Sequence, residues 1–300
     1  MSIKKIEGNL ESVADQLEKA VAKAQEDLIP VLIKALQTLD YSGGKVVLSN
    51  ANLIKTSGII ETLREALESG VYLEGLRDYS KSFPIQADLI NTYYASQFAE
   101  RFAEKQVFNT VVAQAQKQAL DALRASAIDQ FFEEPMRDLI QKSITTGESY
   151  EQMVKQLSDV VVGNAEREGK LMHHVKQVAR DAFSNYSRSY SDVINNDIGV
   201  EWYGYDGGRV TDTREFCEER IGKIWHRKEI EMWGRGEISE GAGLKFPKGG
   251  KWQGMAQGTS DTTIFSYLGG YNCIHYLGGL SESLVPSNVI DRVKAQGLIE

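Results

Sequence analysis

The chain has 300 residues, of which 42% are hydrophobic and 25% charged, and its formal net charge is −8. These values are typical of one or two globular domains and exclude a collagen-like, disulfide-scaffold or wholly disordered chain. The negative charge also argues against a surface that grips nucleic acid through its phosphates, because such a surface needs an excess of lysine and arginine. No apolar run approaches the roughly 18 residues of a membrane span, and no signal-peptide core follows Met1, so we expect synthesis and retention in the cytosol until lysis.

Apolar residues recur at three- and four-residue steps through most of the first 200 residues, which predicts long amphipathic helices. The first helix covers about 9–38, and Pro30 is expected to kink or break it. A short strand is predicted at 45–48, a softer break at Gly75 and a helix boundary at 131–135. The remaining helices are predicted at about 50–67, as a pair over 86–126, at 136–145, from about 150 and at 170–198. Ser149 and Gln152 have the spacing of a capping box, and Gly199 is placed to end the last helix.

The rarer residue types are concentrated beyond residue 200. All four tryptophans and both cysteines lie there, as do 17 of the 27 glycines. Alternating or β-branched residues predict strands at 200–205, 223–226 and 262–267, with a hairpin turn at Gly207-Gly208 and a long surface loop over 233–258. A short helix follows Pro286. The sequence therefore predicts an α+β protein: a long, mainly helical N-terminal part and a small C-terminal module with a short antiparallel sheet.

The most specific residues lie between positions 178 and 275. In chain order they are Ala179-Arg180-Asp181-Ala182 on a helix, Asp212-Thr213-Arg214 followed by Cys217 and Gly222-Lys223-Ile224, and Asn272-Cys273. In order and spacing these segments resemble the phage Mu F-like head morphogenesis proteins, a family of minor head proteins. The chain departs from the family pattern at three places: Asp181-Ala182 replaces Thr-Glu, Arg214 replaces a frequent cysteine, and His275 replaces the final cysteine.

The resemblance covers about residues 140–280. It implies a helical N-terminal region at 1–139, a Mu F-like head morphogenesis domain at 140–285 and a C-terminal helix at 286–300. Within that domain, helices occupy 149–198 and an α+β module occupies 199–285.

The function implied by the resemblance is that of a minor head, or minor capsid, protein of a tailed bacteriophage or prophage. Such a protein enters the head with the portal and stays in the virion, in the head interior or at the portal vertex. Its expected partners are the portal protein, scaffold and major capsid protein, with weak contact to packaged DNA and none to a membrane. The expected role is structural rather than enzymatic. Three lysines, Lys245, Lys248 and Lys251, form a small basic patch that could touch DNA or an acidic partner, although a solvated mobile loop is the default interpretation.

Two cysteines and two histidines are candidate metal ligands. Cys217, His226, Cys273 and His275 could together supply the tetrahedral Cys/His set that Zn²⁺ prefers, although the pair Cys217 and His226 is more widely spaced than usual. No other cofactor is expected. Three alternatives remain open: the thiols are small buried hydrophobes, they form a disulfide after lysis, or one of them is a nucleophile paired with a histidine.

The alternative function is enzymatic. The C-terminal module would then be a nuclease or toxin-like effector, with His226, Arg227 and Lys228 as the candidate catalytic groups, an interpretation based on fold analogy. The chain contains no P-loop, dinucleotide-binding, zincin or serine-hydrolase motif, so these enzyme classes have no support.

Overall fold

The computed structural model describes residues 3–99, 101–102, 107–238, 241–245 and 250–300. The helices are α1 (Lys4–Leu36), α2 (Asn50–Ser69), α3 (Val71–Gln97), α4 (Val107–Ile128), α5 (Glu134–Thr146), α6 (Tyr150–Val161), α7 (Lys170–Ile198), α8 (Glu215–Glu218), α9 (Arg227–Gly234), α10 (Ile264–Tyr267) and α11 (Ser287–Ala295). The strands are β1 (Tyr41–Ser42), β2 (Lys45–Val46), β3 (Trp202–Asp206), β4 (Ile224–His226) and β5 (Tyr276–Leu280). The predicted α+β class is therefore confirmed. Among the described residues, no helix is both long and apolar enough to cross a membrane.

The chain divides into two compact units, and each is built from separate segments. One unit comprises Met1–Ser12, Phe83–Ala115 and Arg180–Glu300, and the other comprises Val13–Ser82 and Gln116–Ala179. Each unit therefore contains residues from both sides of position 140. We call them the sheet unit and the helical unit, because the three-stranded sheet lies in the first.

In the helical unit, the expected break at Pro30 does not occur, and α1 continues through this residue. Pro30 lies on the exposed face of the helix, where water can satisfy the carbonyl that its missing N–H leaves free. Leu28 and Leu32, on either side of it, are buried. Burial of the apolar stripe thus outweighs the loss of one hydrogen bond on the solvent side.

Two other expected interruptions are also absent. Gly75 lies inside α3, where a methyl group in place of its hydrogen would overlap Ala20 of α1. The glycine therefore permits close packing of two helices. At 129–133 the chain forms a π-helical turn that leads directly from α4 into α5 and buries Phe132. The short strand predicted at 45–48 is a two-residue strand, β2, in a hairpin with β1.

The sheet unit contains an antiparallel sheet in the order β4-β3-β5. β3 and β4 agree with the sequence prediction, but the strand predicted at 262–267 is wrong, because that segment contains helix α10. The third strand is β5, whose Gly278 and Gly279 weaken its strand signal. These glycines are needed for packing, since a Cβ at Gly278 would meet Ile3 and one at Gly279 would meet Tyr94.

The connection from β3 to β4 is longer than the predicted hairpin. Gly204 pairs with Ile224, so the intervening residues, including Gly207-Gly208 and α8, form an excursion rather than a tight turn. The loop predicted over 233–258 is also partly structured. Trp233 belongs to α9, and Trp252 is buried. Residues 239–240 and 246–249, among them Lys248, lie outside the described residues.

Candidate functional site

The site lies in the sheet unit, on the segment that joins α10 to β5. A buried arginine on α7, Arg188, holds this segment. Its guanidinium donates to the carbonyl oxygens of Ser266 at 2.6 Å, Cys273 at 3.0 Å and His275 at 3.0 Å. A fourth bond, of 2.8 Å, goes to the side chain of Asn185. Because the five N–H groups of arginine form a rigid planar fork, one side chain fixes several turns of irregular backbone.

Three more side chains hold the same segment. The carboxylate of Asp181 accepts a hydrogen bond from the backbone N–H of Asn272. Arg214 donates to the carbonyl of Tyr271, and the indole of Trp252 donates to the carbonyl of Gly269 over 3.0 Å. Backbone groups outside regular structure therefore find their partners in side chains.

This scaffold brings three of the four predicted metal ligands together. One donor atom each from Cys217, Cys273 and His275 lies within 4.8 Å of the other two, and all three residues are buried. Cys273 Sγ is 3.6 Å from His275 Nδ1. Gly269 closes over the two sulfurs, since a methyl group at this position would overlap both of them. The cysteines are not joined by a disulfide.

The fourth predicted ligand, His226, does not belong to this cluster. Its Nδ1 accepts a hydrogen bond of 3.2 Å from the backbone N–H of Lys228, and its Nε2 lies 3.4 Å from the Glu201 carboxylate. Both ring nitrogens are thus engaged at the start of α9, where His226 acts as the N-terminal cap. Histidine is a residue type that binds zinc, but the register of β4 pairs His226 with Trp202, at the start of β3.

The two thiols share one environment but differ in acidity. A hydrogen bond with the neighbouring Cys273, together with burial, raises the pKa of the Cys217 thiol. A hydrogen bond from Cys217, together with His275 and the positive charge of Arg188, lowers the pKa of Cys273. The pair therefore favours a thiolate at Cys273 and a thiol at Cys217, and the negative charge lies on the sulfur next to the imidazole.

Two further polar groups border the cluster. The buried hydroxyl of Tyr205 lies beside Cys217, and its ring is 5.5 Å from that of His275. Glu7, at the start of α1, interacts electrostatically with His275 and Asp206. Burial and the charge of Asp206 raise the pKa of the Glu7 carboxyl.

An aromatic cluster packs beside the site around a fully buried arginine. The guanidinium carbon of Arg220 lies 3.8 Å from the ring centre of Phe216 and 4.3 Å from that of Trp233. Burial lowers the pKa of Arg220 to about 10. Trp225 and Trp252 pack on the same group of rings, at 4.9 Å from Trp233 and 4.2 Å from Phe216 respectively. Three of the four tryptophans thus form the core behind the site.

Sequence reasoning missed Arg188 and the bond made by Asp181. A signal for Arg188 was present, because it lies in the buried stripe of α7 with Phe183 and Tyr190, and a charged residue on such a stripe needs buried partners.

No family model matches the chain, and no curated protein or solved structure is detectably similar to it.

Proposed function

We propose that this chain is a minor head protein of a tailed bacteriophage or prophage, with a structural role in assembling the head around the portal. The proposal rests on the residues through which the sequence resembles the Mu F-like family. In the virion the protein would contact the portal protein and other head proteins, the scaffold and the major capsid protein.

The observation that supports this proposal is the convergence of those residues. Cys217, Asn272 and Cys273 match the family pattern, come from two distant segments and border or belong to the turn at 269–273. Asp181 and Arg214, where the chain departs from that pattern, bind the same turn. A chance likeness of short motifs would have no reason to converge in space. If these residues together build one folded unit, the need to form that unit explains why this chain and the Mu F-like family carry the same residue pattern.

The burial of the histidines favours the structural role over the nuclease alternative. Side chains of His226 and His275 are 1% and 3% exposed. A general acid or base must come within hydrogen-bonding reach of the substrate proton, and in this structure the protein covers both rings. Burial also lowers the pKa of His226, which keeps the ring neutral.

The proposal is tested by looking for the chain in heads. An epitope-tagged copy is expressed during growth of the phage that encodes it, heads are purified on a density gradient, and their proteins are identified by mass spectrometry. We expect the tagged chain in purified heads and in a complex pulled down with the portal protein. Its absence from both would overturn the proposal.

The enzymatic alternative is tested separately by incubating the full chain with RNA and DNA. Wild type, His226→Gln and His275→Gln are compared with Arg209→Ala, a change of an exposed arginine. We expect no cleavage above background in any sample. Cleavage that Arg209→Ala retains and either histidine variant loses would favour an enzyme instead.

A further inference from the structure

We propose that Cys217, Cys273 and His275 bind a single Zn²⁺ ion that ties the segment after β3 to the segment before β5. This inference does not depend on the proposed role in phage heads. It rests on the spacing of three buried donor atoms, on their chemical type and on the groups that surround them.

The donor spacing fits tetrahedral coordination. Zinc binds sulfur at about 2.3 Å and imidazole nitrogen at about 2.0–2.1 Å, so two such donors at the tetrahedral angle are about 3.6 Å apart. The distance between Cys273 Sγ and His275 Nδ1 is 3.6 Å. Cys217 Sγ lies within 4.8 Å of both atoms, so an ion can be accommodated by a small side-chain adjustment.

The donor set selects the metal. Two thiolates and a neutral imidazole together carry two negative charges, which a divalent ion neutralises in a site shielded from water. Thiolate and imidazole ligands favour zinc over magnesium or calcium, which prefer oxygen donors. A tetrahedral ion needs a fourth donor, and the buried Tyr205 hydroxyl, which interacts with Cys217, is the candidate.

A carboxylate near His275 is a candidate for the partner that a zinc-bound histidine requires. A histidine that binds zinc through one nitrogen almost always donates its other N–H to a carboxylate, carbonyl or water. His275 Nε2 and Glu7 Oε1 are both buried and without a hydrogen-bond partner in the described part of the chain. The two side chains are electrostatic neighbours. We therefore assign Glu7 as a positioning residue that orients the His275 ring.

Metal analysis of the full chain is the direct test. The protein is produced with zinc in the medium, purified under reducing conditions and analysed by inductively coupled plasma mass spectrometry. We expect one zinc per chain in wild type and in His226→Gln, and loss of zinc in Cys217→Ser, Cys273→Ser and His275→Gln. Wild type without zinc, or with zinc that Cys273→Ser retains in full, would overturn the proposal.

Cobalt substitution gives a readout that does not depend on any variant folding. Wild type stripped of zinc with a chelator and loaded with Co²⁺ should show thiolate-to-cobalt charge transfer and the intense visible absorption of a tetrahedral site. An octahedral spectrum, or recovery of Cys217 and Cys273 as a disulfide from anaerobically purified native protein, would contradict the assignment.

The role of Glu7 is tested by competition with a zinc-binding dye. We expect Glu7→Gln to retain the tetrahedral cobalt spectrum but to bind zinc roughly 10–100-fold more weakly, as is usual when the partner of a zinc-bound histidine is changed. Glu11→Gln, an exposed acidic residue one turn further along α1, should bind like wild type. Equal affinity in all three proteins would remove Glu7 from the site.

Discussion

The carboxylate of Asp181 accepts a hydrogen bond from the backbone N–H of Asn272, 91 positions further along the chain. Asn272 has a φ of 57°, in the left-handed region that few residues other than glycine and asparagine adopt readily. The bond therefore holds the left-handed turn next to Cys273 against helix α7. Both features lie directly before Cys273 in the chain and therefore bear on where its side chain points.

We expect Asn272→Gly to change the free energy of unfolding by less than about 1 kcal/mol, because glycine adopts a positive φ without steric cost. Asn272→Val should lose about 1–3 kcal/mol, because a β-branched residue is strongly disfavoured there. Both variants keep the backbone N–H that donates a hydrogen bond to Asp181. Urea unfolding followed by tryptophan fluorescence measures the difference, and equal losses in the two variants would show that the conformation at 272 is not limiting.

Arg188 should be far less replaceable than an ordinary buried side chain. Arg188→Ala leaves the carbonyls of Ser266, Cys273 and His275 without their donor, and each unsatisfied buried group costs about 1–3 kcal/mol. We expect a total loss of at least about 3 kcal/mol in urea unfolding. Arg188→Lys should recover only part of this loss, because an ammonium group cannot reproduce the planar fork.

The control for Arg188 is Arg209→Ala, which removes an exposed arginine from the same unit and should change stability by less than about 0.5 kcal/mol. If Arg188→Lys were as stable as wild type, a positive charge alone would suffice and the hydrogen-bond fork would not be the stabilising feature.

The helices were predictable because their signals are local. Periodic apolar residues located α1 and α7, the Ser149 and Gln152 pair forms the predicted capping box, and Gly199 has the expected positive φ of 67°. β5 was missed because its glycines serve contacts with distant residues rather than local strand propensity. Packing between elements, as at Gly75, likewise leaves no local signal.

The residue types of the candidate site were predictable from the sequence, but which of the predicted residues lie together in it was not. Cysteine and histidine are recognisable ligands, so Cys217, Cys273 and His275 could be named from the sequence. The false inclusion of His226 arose because strand register, which decides where a side chain points, depends on pairing between distant segments. Arg188 and Glu7, the proposed positioning residue, lie on helices far away in sequence, and only three-dimensional proximity connects them with the site.

Asp206 should make stability depend on pH. Burial raises the pKa of its carboxyl, while in the unfolded chain it keeps an ordinary value of about 3.9. At a pH between the unfolded and the folded pKa, the folded state binds more protons than the unfolded state. The free energy of unfolding therefore falls as pH rises through this range, and at neutral pH it is lower than at acidic pH on account of this group. Asp206→Asn is never charged, and we expect it to be more stable than wild type at pH 7.

The advantage of Asp206→Asn should shrink as pH falls through the raised pKa of the folded state and be lost below about 3.9, where the wild-type carboxyl becomes protonated in both states. Urea unfolding at several pH values measures the difference in unfolding free energy between this variant and wild type. Asp291→Asn, at an exposed position on α11, should show no comparable gain. An Asp206→Asn variant that is less stable than wild type at pH 7 would mean that the carboxylate makes a favourable interaction that outweighs its burial.

Two glycines inside helices of the helical unit should respond oppositely to the same substitution. Replacing a helical glycine by alanine normally stabilises by about 1 kcal/mol through helix propensity. At Gly58 of α2 the new methyl group meets nothing within 4 Å, so Gly58→Ala should show this gain. At Gly75 the methyl group would overlap the Ala20 side chain, and Gly75→Ala should instead be destabilised by about 1–3 kcal/mol through overpacking. Adding Ala20→Gly to Gly75→Ala should recover much of the loss in thermal and urea unfolding, whereas a gain in Gly75→Ala alone would show that α1 and α3 do not pack as closely as this contact requires.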